Sequence, residues 1–136
     1  MNRHVLDANA LMALLEERPG ADAVQQLLIA AAGTEPLLMS VVNWGEVYYS
    51  IWLARGQGIA EEKLSEISKL PIDVRAVDLV TAKTAARFKA LYKLPYADCF
   101  AAALAAGERA SIVTGDADFS KIQDEVAILW LPAKDR

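Results

Sequence analysis

Short apolar runs alternate along the chain with longer stretches in which apolar residues return every three or four positions, the mark of strands interleaved with helices. The strand candidates are His4 to Leu6, Leu37 to Met39, Ile72 to Arg75, Ser111 to Val113 and Ala127 to Trp130. All but the third are nearly continuous in apolar residues, as strands covered on both faces are, whereas Ile72-Asp73-Val74-Arg75 alternates and reads as an edge strand. Helices are predicted over Asn9 to Glu17, Ala21 to Ala32, Ser40 to Arg55, Ile59 to Leu70, Leu79 to Tyr92 and Pro95 to Ala106, with a helical turn from Phe119 to Gln123. Ser40 and Asp78 are the expected N-caps; Gly33, Gly56 and Gly107 are the expected stops. The run Ala101 to Ala106 has no polar face, so its helix should lie buried against the sheet. This order predicts an α/β fold with a parallel sheet and helices on both faces.

With 136 residues and an apolar share of 54%, the chain is sized for a single domain, residues 1–136, around one core. It contains no apolar run long enough for a membrane span, and Met1-Asn2-Arg3-His4 leads into a strand rather than the apolar stretch of a signal peptide, so a cytoplasmic protein is expected. The lone Cys99 excludes an internal disulfide and a thiolate zinc cage; its neighbours Ala97, Phe100 and Ala101 mark it as a small core residue. A net charge of -4 argues against a protein that coats nucleic acid with a broad basic surface. Nucleic acid as a substrate stays open if acids are gathered in one site and neutralised by divalent ions. Lys83, Arg87, Lys89 and Lys93 form a basic run that reads either as a solvated face or as a face for a phosphate backbone.

Carboxylates recur where such a fold would collect them. Asp7 and Asp116 directly follow strand candidates, and open α/β sheets place their ligand crevice beyond the carboxyl ends of the strands. Asp98 falls in the first turn of its helix, where free N–H groups favour negative charge. Glu46 lies one and a half turns into the third helix, on a stripe with Val42, Tyr49 and Leu53, where a buried acid would lack a basic partner. Singly, each acid has a plain reading: Asp7 as a helix cap, Asp98 as a helix-dipole charge, Asp116 with Asp118 as an acidic turn. Together they form an oxygen-only ligand set suited to Mg²⁺ or Mn²⁺, which would polarise a phosphodiester and acidify a water for in-line attack. Asn9 and Thr114 are candidates for orienting a water or a carboxylate. Trp44, Tyr48, Ile51 and Trp52 make a second apolar stripe on the third helix, expected to be covered by a partner.

Four segments, Val5-Leu6-Asp7-Ala8-Asn9-Ala10-Leu11, Ser40-Val41-Val42-Asn43-Trp44-Gly45-Glu46-Val47, Tyr96-Ala97-Asp98-Cys99-Phe100-Ala101-Ala102-Ala103 and Thr114-Gly115-Asp116-Ala117-Asp118-Phe119, resemble PIN-domain proteins. Their order and spacing are similar to those of the VapC group of bacterial and archaeal toxins, over essentially the whole chain. The resemblance implies a five-stranded parallel sheet in the order 3-2-1-4-5. It further implies a metal-dependent endoribonuclease, with Asp7, Glu46, Asp98 and Asp116 holding Mg²⁺ or Mn²⁺ and Asp118 as an accessory catalytic acid. Its implied partners are RNA as substrate, a VapB-type antitoxin as inhibitor and a second copy of the chain in a homodimer. Cys99 stands where alanine is frequent in that group, and Asn9 where serine or threonine is common. The competing readings are a haloacid-dehalogenase-like phosphohydrolase, weakened because Asn9 occupies the place of its second acid, and a catalytically silent RNA- or protein-binding module, which would be expected to have lost acids that are all present.

Overall fold

The computed structural model describes residues 3–132; Met1, Asn2 and residues 133–136 of the expected single-domain span lie outside the described residues. The strands are β1 (His4–Leu6), β2 (Leu37–Ser40), β3 (Ile72–Arg75), β4 (Ser111–Thr114) and β5 (Ile128–Trp130). The helices are α1 (Ala8–Leu15), α2 (Ala21–Ala31), α3 (Val41–Arg55), α4 (Gln57–Ile67), α5 (Leu79–Tyr92) and α6 (Tyr96–Glu108), and a 3-10 helix covers Ala117–Ile122. All strand pairings are parallel and the order is β3-β2-β1-β4-β5. The chain therefore winds outward from β1 to β3, returns, and continues on the other side with β4 and β5. That reversal makes the β1–β4 junction the topological switch point, with a crevice at the carboxyl ends of those two strands.

Alternation along the central strands divides the core. Val5, Leu38 and Ile112, aligned across β1, β2 and β4, face Phe88 of α5, the alanines of α6 and Phe119. Their neighbours Leu6, Leu37 and Val113 face Ala10 of α1 with Val24 and Leu28 of α2, and Met39 turns toward Val47, Ile51, Leu64 and Ile67 of α3 and α4. Strands buried on both faces need apolar residues at every position, which is why the period-two signal is absent from β1, β2 and β4. Among the described residues no helix is long and apolar enough to cross a membrane.

Local details depart from the sequence expectation at four places. The final strand stands at the edge that the implied strand order gives it, but Leu129 and Trp130 are exposed there, not covered on both faces as their apolar run suggested. Helix α4 starts before Gly58, because Gly56 at φ 93 makes the break from α3 by itself, and it ends at Ile67 rather than Leu70. Helix α1 begins at Ala8 and ends at Leu15, two residues short of Glu17, which takes a positive φ of 53. Gly107 does not stop α6. The helix continues to Glu108, and Arg109 takes the left-handed conformation at φ 54. Its N–H reaches Ala106 O, and the N–H of Ala110 reaches Ala105 O at 2.9 Å, the paired bonds of a Schellman closure.

Gly107 therefore sits in a helix with nothing within 4 Å of an added Cβ, while a side-chain-bearing residue occupies the strained position. Gly107→Ala and Arg109→Gly are each expected to stabilise the protein by about 0.5–1 kcal/mol in urea denaturation. Destabilisation by Gly107→Ala would show that the glycine itself, not Arg109, closes the helix.

Candidate metal centre

The site grows from the ends of β1 and β4. After Leu6 the backbone stays extended at Asp7, which caps α1 by accepting the Ala10 N–H on Oδ1 at 2.8 Å. Asp7 Oδ2 accepts from the Thr114 hydroxyl at 2.5 Å, and that same hydroxyl oxygen accepts the N–H of Asp116 at 2.9 Å. Asp116 in turn caps the 3-10 helix by accepting the Asp118 N–H at 2.9 Å. Asn9, in the first turn of α1, accepts the N–H of Gly115 at 2.7 Å. A Cβ at Gly115 would stand 3.1 Å from that Asn9 oxygen, so a side chain there would require the Asn9 amide to give by a few tenths of an ångström.

The other acids arrive on helices. Pro95, in extended conformation, leads into α6 and puts Asp98 in its first turn, facing the positive end of the dipole. Glu46 projects from α3, where the amide nitrogen of Asn43 donates to its Oε1 at 3.0 Å and also to the Ala97 carbonyl of α6 at 3.1 Å. Carboxylate oxygens of Asp98, Asp116 and Asp118 lie within 4.8 Å of one another. The charges of Asp7 and Glu46 also act on Asp98, each raising its pKa. All five predicted acids thus gather at the carboxyl end of the sheet, Asp118 among them.

Burial and like charge set the protonation of the cluster. Asp7 is 2% exposed, and desolvation, outweighing its hydrogen bonds to Thr114 and Ala10, pushes its carboxyl up to about 7. Asp98 is likewise pushed up to about 7, by desolvation first and then by the charges of Asp116, Asp7, Glu46 and Asp118. Its Oδ2 is buried and accepts no hydrogen bond. Among the described residues none of the five acids is in a salt bridge. A buried acceptor without a donor, beside other carboxylates and without a basic partner, is the chemistry of a cation ligand set.

Other sequence expectations resolve differently. The stripe of Glu46 is an outer face, since Tyr49 and Leu53 are exposed; the buried stripe of α3 is Asn43, Val47 and Ile51. Glu46 is therefore half-buried at the crevice rather than sealed in the core. On the aromatic stripe, Trp44 stacks on Tyr48 and Tyr48 packs edge-on against Trp52, whose own ring stays exposed. In the basic run, Arg87 is paired with Glu125 at 2.6 Å and Lys89 donates to Leu94 O at 2.8 Å, so half of that run closes the fold. Cys99 is buried against the Leu94 carbonyl, a core thiol pushed up by burial. Asn43 was not marked by the sequence reading, although its three-residue spacing from Glu46 on one helix was the available signal.

The chain matches the family model described as PIN domain over residues 4–125. It belongs to the PIN-domain family. Solved structures agree with this PIN fold. VapBC2 from Rickettsia felis, bound to a DNA fragment from their promoter, superposes with a TM-score of 0.78 at 15% identity, over 95% of this chain and 98% of that one. The Mycobacterium tuberculosis VapC20, described as a Sarcin-Ricin loop cleaving toxin, gives 0.73 at 14% identity over 95% and 99% of the two chains. FitAcB from Neisseria gonorrhoeae gives 0.68 at 18% identity over 93% and 96%. A comparison with curated protein sequences finds no significant match.

The raised acids of this PIN domain make its stability depend on pH with a definite sign. In the folded state Asp7 and Asp98 keep protons up to about pH 7, whereas in the unfolded chain they release them near 3.8. Between those values the folded state binds more protons, so the stability of cation-free protein falls as pH rises through this window and levels off above it. Denaturation in EDTA at pH 5 and pH 8 should show that fall. Asp7→Asn, which retains a capping oxygen, is expected to be more stable than the parent at pH 8 by about 1–3 kcal/mol and to flatten the profile. A parent whose stability rises from pH 5 to pH 8 would contradict the assignment.

Proposed function

We propose that this PIN domain is a metal-dependent endoribonuclease, the toxin of a VapBC-type pair, acting in the cytoplasm and held in check by a VapB-type antitoxin. The observation that carries the reading is the convergence of Asp7, Glu46, Asp98, Asp116 and Asp118 on the crevice at the switch point, with an orphaned Asp98 oxygen at its centre. The likeness in fold to a VapBC complex and to a toxin described as cleaving the Sarcin-Ricin loop supports RNA as substrate and an antitoxin as partner.

The donor set fits Mg²⁺ or Mn²⁺. Every available ligand is a carboxylate, His4 sits at the opposite end of β1, and the Cys99 thiol points into the core. Asp98, Asp116 and Asp118, with Asp7 and Glu46 beside them, are the residues that would hold the ion. When bound, the ion supplies the positive charge that polarises a phosphodiester and acidifies an attacking water. The protein's contribution is positional: Thr114 keeps Asp7 and Asp116 in register, Asn9 pins the Asp116 loop, and the first turn of α6 presents Asp98. The exposed Tyr49, Trp52 and Leu53 on the outer face of α3 offer apolar surface to the antitoxin or to a second copy in a homodimer.

The test is cleavage of total cellular RNA by antitoxin-free protein. Discrete fragments are expected with Mg²⁺ or Mn²⁺, none in EDTA. Asp7→Asn and Asp98→Asn should each lower the cleavage rate by at least about 100-fold while leaving the circular dichroism spectrum unchanged. Parental rates in either variant would remove those acids from the reaction.

A further inference from the structure

Asn43 is fully buried, and its surroundings are not those of a packing residue. It shares the inner stripe of α3 with Val47 and Ile51, where an apolar side chain would be the expected filler. It is an amide instead, and its Oδ1 is buried without any donor. An orphaned acceptor carries a desolvation cost that a leucine of similar size would not. The amide cannot be relieved by turning over, since Oδ1 would then face the Glu46 carboxylate and the Ala97 carbonyl, both acceptors. Nor does Asn43 complete a capping box with Ser40, because that would require Oδ1 to accept the Ser40 N–H and Oδ1 has no donor.

What those bonds do is specific. One runs to the Glu46 carboxylate, the other to the backbone carbonyl of Ala97, the residue immediately before Asp98. A single rigid amide thereby ties the acid delivered by α3 to the first turn of the helix that delivers the central acid. Glu46 is half-buried on a long flexible side chain, and without that bond it would lose a defined rotamer. We propose that Asn43 is a positioning residue that fixes the Glu46 carboxylate against the Asp98 end of α6 for cation binding. This rests on the nuclease reading above. Because Asn43 has no exposed surface, it cannot touch RNA, so its removal should affect ion binding and turnover and, with the ion site kept saturated, leave substrate affinity alone.

The experiment compares the full-length parent with Asn43→Ala, Asn43→Leu, Glu46→Gln and the double variant Asn43→Ala/Glu46→Gln. Mn²⁺ affinity is read by electron paramagnetic resonance without RNA, kcat and KM on an RNA substrate at Mn²⁺ saturating for each variant, and folding by thermal unfolding. Asn43→Ala should weaken Mn²⁺ binding and lower kcat by about 10–100-fold, with KM within about twofold of the parent. The double variant should be no worse than Glu46→Gln within about twofold, since both changes remove one coupled unit. Asn43→Leu should unfold at or above the parent's temperature and still show the full loss, which separates positioning from packing; it also carries the comparison if Asn43→Ala does not fold. Parental Mn²⁺ binding and turnover in both Asn43 variants, or losses that multiply in the double variant, would overturn the role while leaving the nuclease reading intact. A parent that neither binds Mn²⁺ nor cuts RNA would overturn that reading, and the positioning role with it.

Discussion

The hydroxyl of Thr114 links the ends of β1 and β4, donating to Asp7 Oδ2 and accepting the backbone N–H of Asp116. This bond exists because β1 and β4 are adjacent parallel strands, so the first acid after one strand lies beside the first polar residue at the end of the other. Two carboxylates about 4 Å apart repel by about 1 kcal/mol in water and about 4 at an effective dielectric of 20. The rest of the crevice is arranged around that repulsion. Asp7 has both oxygens engaged, Asp116 caps a helix, and Asn9 ties down the loop between them. None of these contacts neutralises charge, and among the described residues no arginine or lysine is paired with the cluster.

Helix α6 shows how packing serves the same edge. Its run of buried alanines lets the helix lie close over Val5, Leu38 and Ile112. The first turn then falls at the carboxyl ends of the strands, where Asp98 meets Asp116 and Asp118. Bulkier side chains along the run would lift the helix off the sheet and carry Asp98 with it. The Schellman closure at Arg109 fixes the other end and returns the chain directly into β4.

The fold was legible because strands buried on both faces and helices with clear caps leave strong local marks, and Ser40 and Asp78 cap as expected. The edge placement of β3 was legible from its alternation. The exposure of β5 was not legible in its composition, since Ile128-Leu129-Trp130 is as apolar as a central strand; its edge place came only with the strand order that the resemblance implied. The gathering of the acids was legible from their positions after strands and in a first helical turn. The mutual approach of Asp98, Asp116 and Asp118 was not, since it depends on how the 3-10 helix after β4 bends back, which no spacing rule encodes. Asn43 escaped notice for a related reason: its partner Ala97 lies 54 residues away, and the contact exists only because α3 crosses α6.

The charge distribution follows from this arrangement. The five acids of the crevice exceed the whole net charge of -4, so the remaining surface is close to balanced. Half of the one basic run is spent on intramolecular bonds, through Arg87 to Glu125 and Lys89 to Leu94. A polyanion approaching this protein therefore finds no broad basic face to bind, and at the crevice it meets like charge. Only a cation held by the acids can reverse that sign locally. On the nuclease reading, occupancy by the ion therefore governs the approach of the substrate as well as its cleavage, and the protein's electrostatics depend on how firmly the carboxylates are held when the ion is absent.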